Sequence, residues 1–506
     1  MKKAKILILI FTLISSTLIF DACENAENSE ITESVLTKFM ELTEIPRPSK
    51  HEGKVSDFLK LWAEEHNFEV VQDDANNIIV EVPATEGMEN KPLVILQGHM
   101  DMVFAQADGL DLDPLTTKIE VVNDGKTLAT DGNTSLGGDD GIGVSIMECV
   151  AEGMMNHGPL RLIITTDEEL GQTGVKTLDK KYIEDADYII NLDDEKEGEI
   201  VISSASGVDF KFTDKLTQTK PTGDKWVKIS FIGLTGGHSG DEIHRGRMNG
   251  IIALGGMLQN IKKNNIDFQI ASISGGNAIN AIPTGVKAEL CISENDYEKL
   301  NDVCNTFAEK VKEKYSKTDP NFKLEVSEIA ESKQVVSTED TDDILSFLLE
   351  KFDGVYTMSK EIDGLVESSS NLGIISVDSK SFMAEGMLRS SNIDKEKELI
   401  KMNRELASKI GYEIVQDSCS KAWPVKENNL LEKIAVKTYK ELYSKDLDVV
   451  AIHAGLECGF FAEINPDANI ISMGATLINP HSIKEYVEID SIEKVWKLLE
   501  GILAGV

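Results

Sequence analysis

The sequence predicts an α/β domain interrupted by an α+β insert, and three observations carry that prediction. Strand and helix signals alternate from residue 31 to about residue 205, the texture changes over 207–422, and the alternation returns over 423–506. Alternating strands and helices argue for a sheet covered by helices on its faces. Three of the apolar runs in the first part also end in short polar segments rich in carboxylate and imidazole. In open α/β sheets that strand edge is where ligands bind.

The elements follow in order. Residues 1–30 form a leader: a basic start at Met1-Lys2-Lys3-Ala4-Lys5, a fifteen-residue apolar run over 6–20, and Cys23 ahead of a polar tether. The run fits a signal segment better than a membrane span, which needs about 20 residues. It resembles a bacterial lipoprotein signal, although Phe20 and Asp21 stand where aliphatic and small residues are preferred. Export with a membrane anchor on lipidated Cys23 is the expectation, and a cytoplasmic protein is the alternative.

Helical periodicity marks 36–40 and 55–63, separated by Ile45-Pro46-Arg47-Pro48, whose prolines stop the first helix. Strands are expected over 77–82, 93–97, 160–165 and 188–191, with a helix over 143–153. These elements make up a first part over 31–206. The insert, 207–422, carries strand signals over 227–231, 269–274, 286–292 and 323–328. Its helices are expected over 246–262, 297–314 and 344–351. After Ala422-Trp423-Pro424 the second part, 423–506, reads as helix 430–442, strand 449–452, a helical turn over 459–463, strand 469–473 and a closing helix over 489–503. The sequence shows no internal repeat.

With 506 residues the chain holds about two or three domains. Its formal charge is −36, from 87 acidic against 51 basic residues. Such a surface repels phosphate backbones and excludes nucleic acid as a partner. Six scattered cysteines form no close pair and read as buried thiols rather than a disulfide framework.

The polar segments carry the chemistry. His99-Met100-Asp101 follows Val94-Ile95-Leu96, and its alternation turns both polar side chains the same way on an extended chain. A metal-bound imidazole needs its second nitrogen held by an acceptor, a role that suits Asp101. Gly137-Gly138-Asp139-Asp140-Gly141 places two carboxylates among glycines at a helix start, where one acid could bridge two cations. Asp167-Glu168-Glu169 ends another apolar run, and three acids there repel one another unless cations neutralise them. Glu169 as ligand and Glu168 as general base is the division of labour such a site needs. Asp193 comes first after Tyr188-Ile189-Ile190, and His481 follows Asn479-Pro480. Imidazole mixed with carboxylate suits zinc, manganese or cobalt. His238 lies in a glycine turn, Gly236-Gly237-His238-Ser239-Gly240, within the insert.

Taken together these segments resemble the aminoacyl-histidine dipeptidases, within the larger clan of two-zinc aminopeptidases, carboxypeptidases and aminoacylases. The resemblance runs from about Ile31 to the end and includes Ile45-Pro46-Arg47-Pro48-Ser49, Gln97-Gly98-His99-Met100-Asp101 and Asp139-Asp140-Gly141-Ile142-Gly143. Asp167-Glu168-Glu169, Gly237-His238-Ser239-Gly240, His453-Ala454-Gly455-Leu456-Glu457 and Pro480-His481-Ser482 complete it. It implies a two-zinc catalytic domain with an inserted α+β lid, zinc being replaceable by manganese or cobalt. It places His99 and Asp193 on one metal, Glu169 and His481 on the other, and Asp139 between them, with a cis peptide after Asp139. Asp140 stands where close relatives often have asparagine.

The implied activity is hydrolysis of short peptides, of the Xaa-His type, by a hydroxide bridging the metals with Glu168 as general base. Asp101 orients His99, and His238 from the lid stabilises the oxyanion. Arg389 is the candidate for the substrate's terminal carboxylate, because arginine binds carboxylates bidentately. Asn277, Asn371 and Glu457 are further pocket candidates, Glu457 for the substrate's amino terminus. The reading is compatible with a homodimer, and the sequence leaves the oligomeric state open. The alternatives are another amidohydrolase of the clan, a deacylase or tripeptidase, and a non-catalytic solute-binding lipoprotein.

Overall fold

The computed structural model describes residues 30–331, 334–360, 362 and 364–506. The leader through residue 29, with Cys23, lies outside the described residues. The chain divides into two compact units. The first takes the described residues up to Ile202, with Val425–Val450 and Phe460–Val506; the second takes Ser203–Pro424 and Ala451–Gly459.

The first unit is built on an eight-stranded sheet. Its order is Glu69–Gln72, Ile78–Val82, Leu160–Thr165, Val94–His99, Tyr188–Asn191, Asn469–Ser472, Glu199–Ser204 and Asp448–Ile452. The four central strands, 160–165, 94–99, 188–191 and 469–472, run parallel. Parallel strands are buried on both faces and read as continuous apolar runs, which is what Val94-Ile95-Leu96 and Leu162-Ile163-Ile164 are. Every residue of 94–99 and 160–165 is buried. Val94, Leu96, Leu160, Leu162 and Ile164 pack in one core with Trp496 and Leu499 of the closing helix Ile489–Gly505. Each such side chain contributes about 1.5–3 kcal/mol by leaving water. Strand 469–472 pairs with 188–191, so the two stretches of chain on either side of the insert close one sheet.

A smaller four-stranded sheet, Leu477–Ile478, Tyr486–Glu488, Thr127–Thr130 and Val121–Asn123, has no counterpart in the sequence expectations. It matters for the site. The loop inside its 477–488 hairpin carries His481, and strand 127–130 leads to Asp139. The first helix spans 30–43, longer than expected. The helix that carries Asp139 spans Gly138–Cys149, ahead of the expected start at 143 although Asp139 and Asp140 depart from helical backbone, and it ends in a wider turn over Val150–Met154, where Gly153 takes φ 85°.

The second unit contains a sheet ordered Lys323–Glu328, Lys225–Ile232, Val286–Ile292, Phe268–Gly275, Val366–Val377, Ser381–Ser390, Ser206–Lys215 and Glu413–Ser420, with Gly354–Met358 paired to 366–377. It is a duplication. Strand 225–232, helix Gly250–Lys263, strands 268–275 and 286–292, helix Tyr297–Lys314 and strand 323–328 form one β-α-β-β-α-β unit. Strand 206–215, helix Thr338–Glu350, strands 366–377 and 381–390, helix Ile393–Ile410 and strand 413–420 form another, the split βαβ motif repeated. The halves meet antiparallel where Ile273 faces Val377. The first is nested between the opening strand and first helix of the second, so the reading of no internal repeat holds for the sequence and not for the fold.

The second unit begins at 203 and ends at 424, where 207 and 422 were expected, and it takes in Ala451–Gly459. That return segment is held by His453, whose Nε2 lies 2.7 Å from Ser369 Oγ, and by Ala205 N–H donating to Ala454 O.

Candidate metal centre

The parallel strands bring three of the acidic and imidazole segments to one sheet edge. His99 is the last residue of its strand, Asp167-Glu168-Glu169 follows Thr165, and Asp193 follows Asn191. Asp139 arrives on the helix start at Gly138, and His481 on the 477–488 hairpin. His99 Nε2 lies 2.9 Å from Asp139 Oδ1 and 3.2 Å from Asp193 Oδ1. His481 Nε2 lies 3.0 Å from Asp139 Oδ2 and 2.8 Å from Glu169 Oε2. Asp139 therefore presents one oxygen to the His99–Asp193 pair and the other to the His481–Glu169 pair. Donor atoms of His99, Asp139 and Glu169 all fall within 4.8 Å of one another.

The peptide between Asp139 and Asp140 is cis. Asp140 faces away from that cluster: Oδ2 accepts the His99 backbone N–H at 3.3 Å and Oδ1 accepts that of Gly143 at 3.1 Å. A Cβ at Gly98 or Gly143 would lie 2.1 or 2.2 Å from this carboxylate, which is why those positions are glycine. Asp167 and His481 hold left-handed backbone at φ 53° and 59°. Such conformations cost about 1–2 kcal/mol for residues with a Cβ, and local strain of this kind gathers at functional sites.

Asp101 is fully buried beneath the cluster. Its Oδ1 stands 3.4 Å from His99 Nδ1 and accepts the Glu168 N–H at 3.1 Å, while Oδ2 accepts the Glu169 N–H at 3.4 Å and the Ser49 hydroxyl at 2.7 Å. One carboxylate thus orients an imidazole and the adjacent glutamates together. Glu168 Oε1 accepts from Gln172 Nε2 at 2.9 Å.

The electrostatics are those of crowded carboxylates. Burial pushes Glu168 up to about 7, with Glu169 adding to it against the opposing field of His99. Burial raises Asp193 too, again against His99. Burial also works to raise Asp139, but hydrogen bonds from His481 and His99 outweigh it and hold that carboxyl well below the usual range. Hydrogen bonds to Asp139 and Glu169 push His481 up to about 11. Carboxylates in this number are stable underground only beside positive charge. Buried Glu169 Oε1 has no hydrogen-bond partner among the described residues. A divalent ion answers both demands, and two imidazoles with three carboxylates fit zinc, manganese or cobalt.

The other expected residues belong to the second unit. His238 Nδ1 lies 3.0 Å from Asp241 Oδ2, and its Nε2 is 3.5 Å from Arg389 Nη2. Arg389 is 7% exposed. Asn371 donates both amide hydrogens to backbone, at Ile279 O and Ala281 O. Asn277 is exposed and Glu457 is buried. His453, quoted in the sequence only as part of a motif, is buried within this cluster. Burial pushes it down to about 3, and the cationic Arg389 adds to that. Three further residues around the metal-type cluster, Arg47, Glu52 and Glu485, went unread as functional; Arg47 between two prolines was the available signal.

The family pattern described as "Peptidase family M20/M25/M40" matches residues 95–505. The "Cytosol non-specific dipeptidase" of Escherichia coli K12 is 32% identical over 468 residues, covering 92% of this chain and 96% of the relative. The crystal structure of aminoacylhistidine dipeptidase from Vibrio alginolyticus is similar with a TM-score of 0.85 at 30% identity, covering 94% of this chain and 96% of that one. Aminopeptidase PepT from Bacillus cereus shares the fold, with a TM-score of 0.53 at 16% identity over 93% and 98% of the two chains. The expectation of an exported, membrane-anchored protein is corrected by the first of these, since a relative matched along almost its whole length is named for the cytosol. No described helix is long and apolar enough to cross a membrane.

Proposed function

Because the chain belongs to peptidase family M20/M25/M40 and is a divalent-metal-dependent peptidase, we propose that it hydrolyses dipeptides at a two-metal site. The observation that carries this reading is Asp139 standing between His99 and His481, one carboxylate oxygen to each. Likeness to dipeptidases along more than nine-tenths of the chain supports the choice of substrate length. One relative is named for aminoacyl-histidine substrates and the other as non-specific, so Xaa-His dipeptides fall within a broader set of side chains. A surface of charge −36 supports small peptides over nucleic acid as the partner.

His99 and Asp193 are assigned to one ion, His481 and Glu169 to the other, and Asp139 to both. When bound, the ions lower the pKa of water and polarise the scissile carbonyl. Glu168 takes the water proton and returns it to the leaving amine, a task matched by a pKa near 7. Asp101 holds His99 in one orientation and, through the N–H groups of Glu168 and Glu169, fixes base and ligand side by side. His238 is assigned to the carbonyl oxygen as charge develops there. Arg389 is assigned to the terminal carboxylate, and Glu457, Asn277 and Asn371 to the rest of the dipeptide.

A panel of dipeptides, tripeptides and N-acyl amino acids tests the assignment. Turnover of free dipeptides, Xaa-His included, with little of the others supports it. Preference for tripeptides or N-acyl amino acids would instead place the chain with another amidohydrolase activity of the clan.

A further inference from the structure

The loop over 45–52 supplies no metal ligand, yet three of its buried polar side chains together hold three ligand-bearing segments. Arg47, 2% exposed, donates Nη1 to the carbonyls of Met100 and Asp101 at 3.0 and 3.1 Å, just beyond His99. Its Nη2 donates to Gly137 O at 2.5 Å, two residues before Asp139. Ser49 donates to Asp101 Oδ2, the carboxylate that also accepts the Glu168 and Glu169 N–H groups. Glu52 Oε1 accepts the Asp167 N–H at 3.1 Å. The loop backbone joins in, with Met102 N–H donating to Arg47 O at 3.1 Å.

The glycines beside Asp139 record the same contact. A Cβ at Gly137 would lie 2.8 Å from Arg47 Nη2, and one at Gly141 would lie 2.6 Å from it. The space those positions leave open is shared by the guanidinium with Met102 at Gly137 and with Phe39 at Gly141. From the other side Glu485, 3% exposed and four residues past His481, accepts the N–H groups of Leu136, Gly137 and Gly138 at 2.9, 3.2 and 2.7 Å. The peptide run into Asp139 is therefore clamped at its carbonyl by Arg47 and at its amides by Glu485.

We propose that Arg47, with Ser49 and Glu52, is the positioning element that sets the separation of His99, Asp139 and Glu169 and so tunes how tightly the metal pair is held. A planar fork is required, because it reaches carbonyls on two segments at fixed angles; a lysine ammonium offers a single point of charge. Groups that orient metal ligands without touching the ion change affinity by about 10-fold to 100-fold when removed.

This rests on the metal-centre reading, and the test separates the two. The full chain and its Arg47→Met, Arg47→Lys and Ser49→Ala variants are freed of metal, titrated with Co2+ against a chromophoric chelator, and followed by visible absorption. Far-UV circular dichroism and thermal melting are recorded on the metal-free proteins. The expected result is wild-type circular dichroism with Co2+ affinity weakened at least about 10-fold in both Arg47 variants, an altered cobalt spectrum, and no rescue by lysine. Should Arg47→Met fail to fold, Arg47→Lys and Ser49→Ala carry the same comparison. Wild-type affinity and an unchanged spectrum in the folded variants overturn the proposal, as does a lowered melting temperature with unchanged affinity. Failure of the wild type itself to bind Co2+ overturns the metal-centre reading instead.

Discussion

His481 Nε2 stands 3.0 Å from Asp139 Oδ2 although 342 residues separate them in the chain. The small four-stranded sheet makes that meeting. Val487 pairs with Leu128, so the hairpin carrying His481 is fastened to the strand that leads into Asp139. The contact is a product of register, and each prediction below depends on ligands that the chain assembles from distant segments.

Glu168→Gln should keep its metal and lose about 100-fold to 10,000-fold in kcat, the range for a general acid–base residue. Glu169→Gln should weaken metal binding instead, because its Oε2 is one of the donors beside His481. Parallel metal analysis and kinetics on the two variants check this. Equal metal loss in both would contradict the assignment of base and ligand.

Arg389→Met should raise KM for dipeptides several-fold to many-fold while metal content stays at the wild-type level. A dipeptide amide, lacking the terminal carboxylate, should be a poor substrate for the wild type and nearly indifferent to the substitution. Equal sensitivity of acid and amide would remove Arg389 from carboxylate recognition. His238→Ala should lower kcat by about 100-fold or more, again without metal loss.

Glu148 makes stability depend on pH. Its side chain is fully buried and neither carboxyl oxygen has a hydrogen-bond partner among the described residues. Burial pushes it up to about 8, with Glu152 adding to that against the opposing Lys38. A carboxyl that binds its proton more tightly when folded stabilises the fold at low pH, and that contribution is lost as pH rises from about 4.5 toward 8. Glu148→Gln mimics the protonated form. It should melt close to wild type at pH 5 and become the more stable of the two by pH 9, by thermal unfolding across that range. A constant difference between the two proteins would show that Glu148 is not titrating.

Much of the site was legible because its ligands stand at the ends of strands whose apolar runs are unmistakable. Val94-Ile95-Leu96, Leu162-Ile163-Ile164 and Tyr188-Ile189-Ile190 locate the sheet edge, and the polar residues beyond them locate the chemistry. The residues that hold those ligands were not legible in the same way. Arg47 and Glu485 bind backbone carbonyls and amides, and the arginine set between two prolines is the one mark such contacts leave in the sequence.

The second half of the insert was hidden for a different reason. Strand Val366–Val377 passes through Ser368-Ser369-Ser370-Asn371, all buried, so the strand lacks a continuous apolar run to mark it. Helix Ile393–Ile410 buries Leu399, Asn403, Leu406 and Ala407 and is largely charged over the rest, which blurs its periodicity. Its ends did carry a signal, since Asn392 caps Asp394 and Lys395 and Gly411 closes it at φ 78°. Ser337, whose hydroxyl accepts the Asp340 N–H, likewise marks a helix start six residues ahead of the expected 344.

Metal titration of the metal-free enzyme against a dipeptide tests the central claim most directly. Protein stripped by chelation should show no hydrolysis, and activity should return with added Zn2+, Mn2+ or Co2+ as about two ions bind per chain. Undiminished dipeptide hydrolysis by protein shown by elemental analysis to hold no metal would contradict the account.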